Sequence, residues 1–82
     1  GTGAMTVHLF AKLRDVAGPA VAVDLPPGAT VADLRTRLAE AHPALAPLLA
    51  RCAVAVNHDV ADDAAAIPGG AELALLPPVS GG

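Results

Sequence analysis

Eighty-two residues of 8.0 kDa make one small domain, because a second hydrophobic core does not fit in a chain this short. Hydrophobic residues form 54% of the chain and aromatic ones 1%, a lone Phe10. With 20 alanines, 11 leucines and 9 valines, the core has to be built from aliphatic side chains. The net charge is −3, and the five cations Lys12, Arg14, Arg35, Arg37 and Arg51 are scattered, which excludes the clustered basic patch of a nucleic-acid binder. No apolar run approaches the roughly 20 residues of a spanning helix, so no membrane partner is expected.

One cysteine, Cys52, cannot form an internal disulfide, and small secreted domains usually carry several. The expected location is therefore the cytoplasm. Gly1-Thr2-Gly3-Ala4 ahead of Met5 reads as the remnant of an expression tag and is set aside from the fold. The chain divides into residues 1–4, a folded body over 5–76 and a C-terminal tail over 77–82.

From Thr6 to Leu13, Val7, Leu9, Ala11 and Leu13 alternate with His8, Phe10 and Lys12, the period of a strand. Residues 14–19 carry turn chemistry, and Val21, Val23 and Leu25 alternate again, so the two runs predict a hairpin. Pro26-Pro27-Gly28 ends the second strand. Thr30, followed at the third position by Asp33, is an N-cap with an acid in the first helical turn. Val31, Leu34, Leu38 and Ala41 then recur at helical spacing and predict an amphipathic helix ending before Pro43.

Ala44 to Leu49 is expected to add a short helical turn carrying Leu45, Leu48 and Leu49, interrupted by Pro47. Ala53 to Asn57 predicts a third strand with Val54 and Val56 on one face, and Val60 a short edge strand beyond the Asn57-His58-Asp59 turn. Glu72 to Leu76 is the last strand, with Leu73 and Leu75 facing inward. The order implies an α+β domain with a mixed sheet of four to five strands and one main helix on one face. Pro77-Pro78-Val79-Ser80-Gly81-Gly82 cannot continue the ladder.

Catalytic motifs are missing. There is no glycine-rich phosphate loop and no paired-cysteine or His-x-x-x-His set for zinc, so neither a metal nor a bound cofactor is expected. His8, His42 and His58 are scattered and read as exposed or structural. His58-Asp59 and Asp62-Asp63 read as a solvated acidic loop, and Cys52 as a buried, inert thiol.

The C-terminal Gly81-Gly82 is the remaining chemical feature. Two residues without Cβ atoms leave the carboxyl group sterically open and the backbone free to enter a narrow channel. The prolines ahead limit the entropy lost when such a tail is held in a partner's site. Phe10 and Leu76 sit on the opposite strand faces from the core residues. If the first and last strands are neighbours, they make an apolar patch at the base of the tail, near Arg14, of the kind that marks a protein interface.

Leu9-Phe10-Ala11-Lys12-Leu13-Arg14-Asp15, Ala55-Val56-Asn57, and the run from Gly70 to Pro77-Pro78-Val79-Ser80-Gly81-Gly82 resemble the small subunit of molybdopterin synthase, the MoaD family. The resemblance implies a ubiquitin-like β-grasp fold. It also implies that the Gly82 carboxylate is adenylated by an ATP-dependent activating enzyme and converted to a thiocarboxylate. That group donates sulfur to cyclic pyranopterin monophosphate, forming the molybdopterin dithiolene of the molybdenum cofactor. Gly82 and Gly81 are then the reacting end, and the catalytic groups belong to the large synthase subunit. Nucleotide is bound by the activating partner, not by this chain.

By the same resemblance, Phe10, Arg14, Val60 and Leu76 are sheet-face docking positions, and Pro77, Pro78, Val79 and Ser80 the part of the tail a partner holds. The implied assembly is a heterotetramer of two small and two large subunits. Gly-Gly termini are shared with thiamine sulfur carriers and ubiquitin-like modifiers. A carrier for thiamine or cysteine synthesis, a modifier conjugated to lysines, and a non-catalytic β-grasp interaction module therefore remain open.

Overall fold

The computed structural model describes residues 3–77. Strand β1 (Gly3–Leu9) leads into helix α1 (Ala11–Ala17), then β2 (Ala20–Leu25) and helix α2 (Val31–Ala41). A 3₁₀ turn (Pro43–Leu45) and helix α3 (Ala46–Leu49) follow, and β3 (Ala53–Val56), β4 (Asp59–Ala61) and β5 (Leu73–Leu76) complete one mixed sheet in the order β2-β1-β5-β3-β4. Ala4 and Gly3, set aside in the sequence reading, pair with Asp24 and Leu25, so the ladder begins ahead of Met5.

The strand expected over Thr6 to Leu13 stops at Leu9. Leu9 and Leu13 are four residues apart, a spacing that serves a helix as well as alternation serves a strand. Only the register decides between them. The β1–β2 ladder closes at the pair His8↔Ala20, which leaves the intervening segment to fold on itself. Phe10 is extended, Ala11 turns through a left-handed φ of 53°, and one short helix brings Leu13 into the core. Gly18 ends it at φ 91°, a conformation that favours glycine.

The other expectations are local and hold closely. β2 shows Val21, Val23 and Leu25 buried with Ala20, Ala22 and Asp24 exposed. At the start of α2, Thr30 Oγ1 accepts from the Asp33 backbone N–H at 3.2 Å, and Asp33 Oδ2 accepts from the Thr30 N–H at 2.9 Å. This is a reciprocal capping box. Val31, Leu34 and Leu38 are fully buried, but Ala41 is exposed. It is the last residue of α2, and it borders Val23 and Asp24 of β2 at the rim of the core. Leu45 and Leu49 are buried and Leu48 packs partly against them.

The helices and the sheet's inner face enclose a core of Val, Leu and Ile side chains with Ala29 and Cys52. The Asp62–Ile67 segment is strapped across the start of α2. The Val31 N–H donates to the Ala65 carbonyl at 3.0 Å and the Ile67 N–H to the Ala29 carbonyl at 2.8 Å. Asp63, read from sequence as part of a solvated acidic loop, accepts from Arg35 Nε at 2.9 Å. Arg35 also donates through Nη1 to the Leu49 carbonyl, so one guanidinium ties α2 to the Asp62–Ile67 segment and to the end of α3.

Thr30→Ala removes one side of the capping box and is expected to cost about 1 kcal/mol of stability, read by urea unfolding. Leu75→Ala, at a fully buried site in the central strand, is expected to cost about 2–5 kcal/mol.

Candidate functional site

The tail leaves the domain from its best-held strand. β5 lies at the centre of the sheet, parallel to β1 and antiparallel to β3. Leu73 and Leu75 are fully buried on the helical side, while Ala74 and Leu76 point to the open face. Its start is clipped from the side by the β3–β4 turn. Asn57 Oδ1 accepts from the Glu72 N–H at 2.9 Å, and the Asn57 N–H donates to the Glu72 carbonyl at 2.8 Å. His58 Nε2 lies 2.9 Å from Glu72 Oε2, an exposed contact of small energetic weight. Asn57 and His58 both have left-handed φ angles, 51° and 74°, as a tight two-residue hairpin turn requires.

The ladder between β3 and β5 ends at the pair Ala53↔Leu76. Pro77 follows and brings no N–H donor to extend it. Pro77 is partly buried; Pro78, Val79, Ser80, Gly81 and Gly82 lie outside the described residues.

The open face of the sheet is low in relief. Paired residues share a face, and the registers align Ala20, His8, Ala74, Ala55 and Val60 across all five strands. Ala53 and Leu76 pair one step nearer the tail. Four alanines flank His8, Val60 and Leu76, which makes a smooth, mostly apolar surface next to the point where the tail emerges. Val60 is 68% exposed on the edge strand.

Phe10 is 47% exposed, as expected, but for a different reason. It stands at the junction of β1 and α1, one residue beyond the Leu9↔Leu75 pair, beside Leu76 in the continued register. Phe10 and Val60 border the same surface without meeting. The β5 and β3 strands separate β1 from β4, a span of roughly 14 Å at the usual strand spacing. Arg14 is corrected: it is exposed on α1, a helix whose Leu13 is sunk into the core, so it is not a sheet-face position. It lies one helical turn beyond Phe10, on the flank of the surface.

Sequence reasoning missed His8 as the polar centre of this face, and the Asn57–Glu72 clip behind β5. The first is a consequence of register. The second joins residues 15 apart in the chain, with no spacing signal to announce it.

Cys52 is buried, its Sγ donates to the Leu48 carbonyl at 3.1 Å, and desolvation pushes the thiol above its ordinary 9.0 against a smaller opposing pull from Arg35. It is held as the neutral thiol, not the nucleophilic thiolate. Among the described residues no cluster of three His, Cys, Asp or Glu side chains is placed to hold a metal ion, and no helix is long and apolar enough to cross a membrane. A groove of about 560 Å³ runs along β1 from Ala4 to His8 against the Ile67–Glu72 loop and so shares His8 with the open face.

Comparison with known proteins decides what this arrangement belongs to. Residues 7–82 match the ThiS family. The chain belongs to that family. A molybdopterin synthase sulfur carrier subunit from Chlamydomonas reinhardtii is 40% identical over 79 residues, covering 93% of this chain and 95% of its own. Small archaeal modifier protein 1 from Haloferax volcanii is 43% identical, covering 95% of this chain and 100% of its own. Its crystal structure superposes with a TM-score of 0.82 at 42% identity, over 98% of this chain and 100% of that one. A ubiquitin from Caldiarchaeum subterraneum shares the fold at 17% identity, with a TM-score of 0.67 and full coverage of both chains. As a ThiS-family member the chain has the ubiquitin-like β-grasp fold that its sequence resemblance implied.

The buried thiol gives a test of the geometry. Cys52 keeps its proton in the fold at pH values where the unfolded chain has lost it, so stability is expected to fall as pH rises from about 9 toward the raised folded-state value. Below 9 the contribution is fully present. Urea unfolding across that range should show the slope in the native chain and not in Cys52→Ala.

Proposed function

We propose that this chain is a sulfur carrier that works as the small subunit of molybdopterin synthase. One observation carries the reading: near-complete two-way coverage of a molybdopterin synthase sulfur carrier subunit, in a chain whose central strand runs directly into Pro77 and the terminal Gly81-Gly82. The division of labour follows from the chemistry. In this reading the chain contributes the Gly82 carboxyl group, and the catalytic groups are supplied by its partners.

In the proposed reaction the Gly82 carboxylate attacks the α-phosphorus of ATP on an activating enzyme, releasing pyrophosphate. A sulfur donor then displaces AMP from the acyl-adenylate and leaves a thiocarboxylate. The tail enters the large synthase subunit, where each thiocarboxylate delivers one sulfur to cyclic pyranopterin monophosphate and returns to the carboxylate by hydrolysis, so two loaded chains are consumed for each dithiolene. Glycines at 81 and 82 suit each step, because no Cβ crowds the carbonyl as nucleophile and leaving group exchange. Anchoring the tail in the central strand limits the loss of freedom on insertion. The open face, with Leu76 and Val60 on it and Phe10 and Arg14 at its flank, supplies the docking surface for the large subunit and the activating enzyme.

A second reading is favoured by a specific observation, the 43% identity and full coverage of small archaeal modifier protein 1. In that reading the same activated Gly82 forms an amide with a lysine of another protein. Both readings need the same first step and differ only in the nucleophile that takes the acyl group.

With activating enzyme, ATP and a sulfur donor, the protein is expected to gain mass by one oxygen-to-sulfur exchange that fragmentation places on Gly82. Placement on Cys52 would overturn the assignment. Deleting Gly82 should abolish molybdopterin formation in a reconstituted mixture with the large subunit, and an unchanged yield would exclude the carrier mechanism. Phe10→Ala is expected to leave thermal stability within about 0.5 kcal/mol. It should raise the Kd for the large subunit roughly thirtyfold, a loss of about 2 kcal/mol typical of an interface anchor, measured by titration calorimetry.

A further inference from the structure

We propose that Ala11 is a positioning residue for Phe10. Its left-handed backbone fixes the direction of the chain's one aromatic side chain before any partner is met. The proposal rests on the reading that Phe10 anchors the large subunit, and it deepens that reading by naming what orients the anchor.

A φ of 53° at Ala11 belongs to the region that favours glycine, because a Cβ there crowds the neighbouring carbonyl oxygen. Elsewhere among the described residues the chain meets that demand in ordinary ways. Gly18, Gly28 and Gly70 carry positive φ as glycines, and Asn57 and His58 carry it in the tight turn between β3 and β4. Ala11 is the exception. Its side chain is exposed, so burial of the methyl group does not offset the cost, and glycine would make the same turn more freely.

Ala11 is held in this conformation by the leucines on either side. Leu9 and Leu13 are both buried. The Leu9 N–H donates to the Pro19 carbonyl at 2.9 Å, and the Leu13 N–H donates to the Phe10 carbonyl at 3.2 Å, so the chain between them is fastened at both ends. Phe10 itself is extended, at φ −131° and ψ 157°. Burial alone does not fix a ring that is half in solvent, so the backbone beside it has to. The left-handed well open to alanine is small, whereas glycine ranges over positive and negative φ alike. A Cβ at position 11 therefore narrows the directions that the Phe10 side chain can take against α1. A side chain already oriented loses less conformational freedom on binding than a loose one.

The test compares the native chain with Ala11→Gly and with a chemically synthesised chain carrying D-alanine at position 11, whose chirality favours positive φ. Because Phe10 is the sole aromatic residue, near-ultraviolet circular dichroism of the free protein reports how firmly its ring is held. Ala11→Gly is expected to keep close to the native melting temperature and to lose most of that signal. Its Kd for the large subunit should rise roughly fivefold by titration calorimetry, the effect of one further side chain ordered on binding. D-alanine should restore the Phe10 signal and the native Kd while raising the melting temperature. In a Phe10→Ala background, Ala11→Gly should change the Kd no further.

A glycine variant with native Phe10 signal and native Kd overturns the proposal. So does a D-alanine chain that binds as weakly as the glycine variant, since that result assigns the loss to a methyl contact and not to orientation. Absence of binding by the native chain, or native affinity in Phe10→Ala, overturns the docking reading itself. Loss of the Phe10 signal in Ala11→Gly then tells that failure apart from a failure of the orientation argument.

Discussion

The central position of β5 is the constraint on which the rest of this molecule depends. A four-residue strand is a weak element alone, but here both of its edges are hydrogen-bonded and both inward side chains, Leu73 and Leu75, are fully removed from water. Each such leucine contributes about 1.5–3 kcal/mol through burial. The tail thus hangs from the best-anchored part of the sheet and not from a fraying edge. A partner can pull or bend the terminal residues without peeling a strand away, because releasing β5 would mean splitting the sheet between β1 and β3.

Placing the last strand beside the first also decides which residues border the open face of the sheet. Parallel pairing of β1 with β5 brings Phe10 to the point of exit and puts α1, with Arg14 and Lys12, on its flank. The antiparallel neighbour β3 and the edge strand β4 extend the open face to Val60. Alanine at the intervening positions keeps that face flat. An almost aromatic-free composition is thus consistent with the architecture: Leu and Val fill the inner face, small residues pave the outer one, and the single aromatic stands where a partner can reach it.

Inertness is itself built. Cys52 is kept as a thiol by burial and by its bond to the Leu48 carbonyl, and Arg35 is occupied by Asp63 and the Leu49 carbonyl. The acyl chemistry of the tail therefore meets few side chains able to intercept it.

Elements governed by neighbours a few residues away could be read directly from the chain. The alternation of Val21, Val23 and Leu25, the Thr30–Asp33 cap, the Val31, Leu34 and Leu38 stripe and the alternating burial of Leu73 and Leu75 all reflect local geometry, and local geometry is written in spacing. Tertiary structure decided what spacing leaves ambiguous. Leu9 and Leu13 satisfy both periods, and only the end of the β1–β2 ladder at His8↔Ala20 turned Ala11–Ala17 into a helix and moved Arg14 off the sheet. The Asn57–Glu72 clip, the Arg35 ties and the meeting of Phe10 with the exit of β5 depend on strand order. Strand order follows from how the whole chain buries its leucines and valines at once, and no local pattern carries that information.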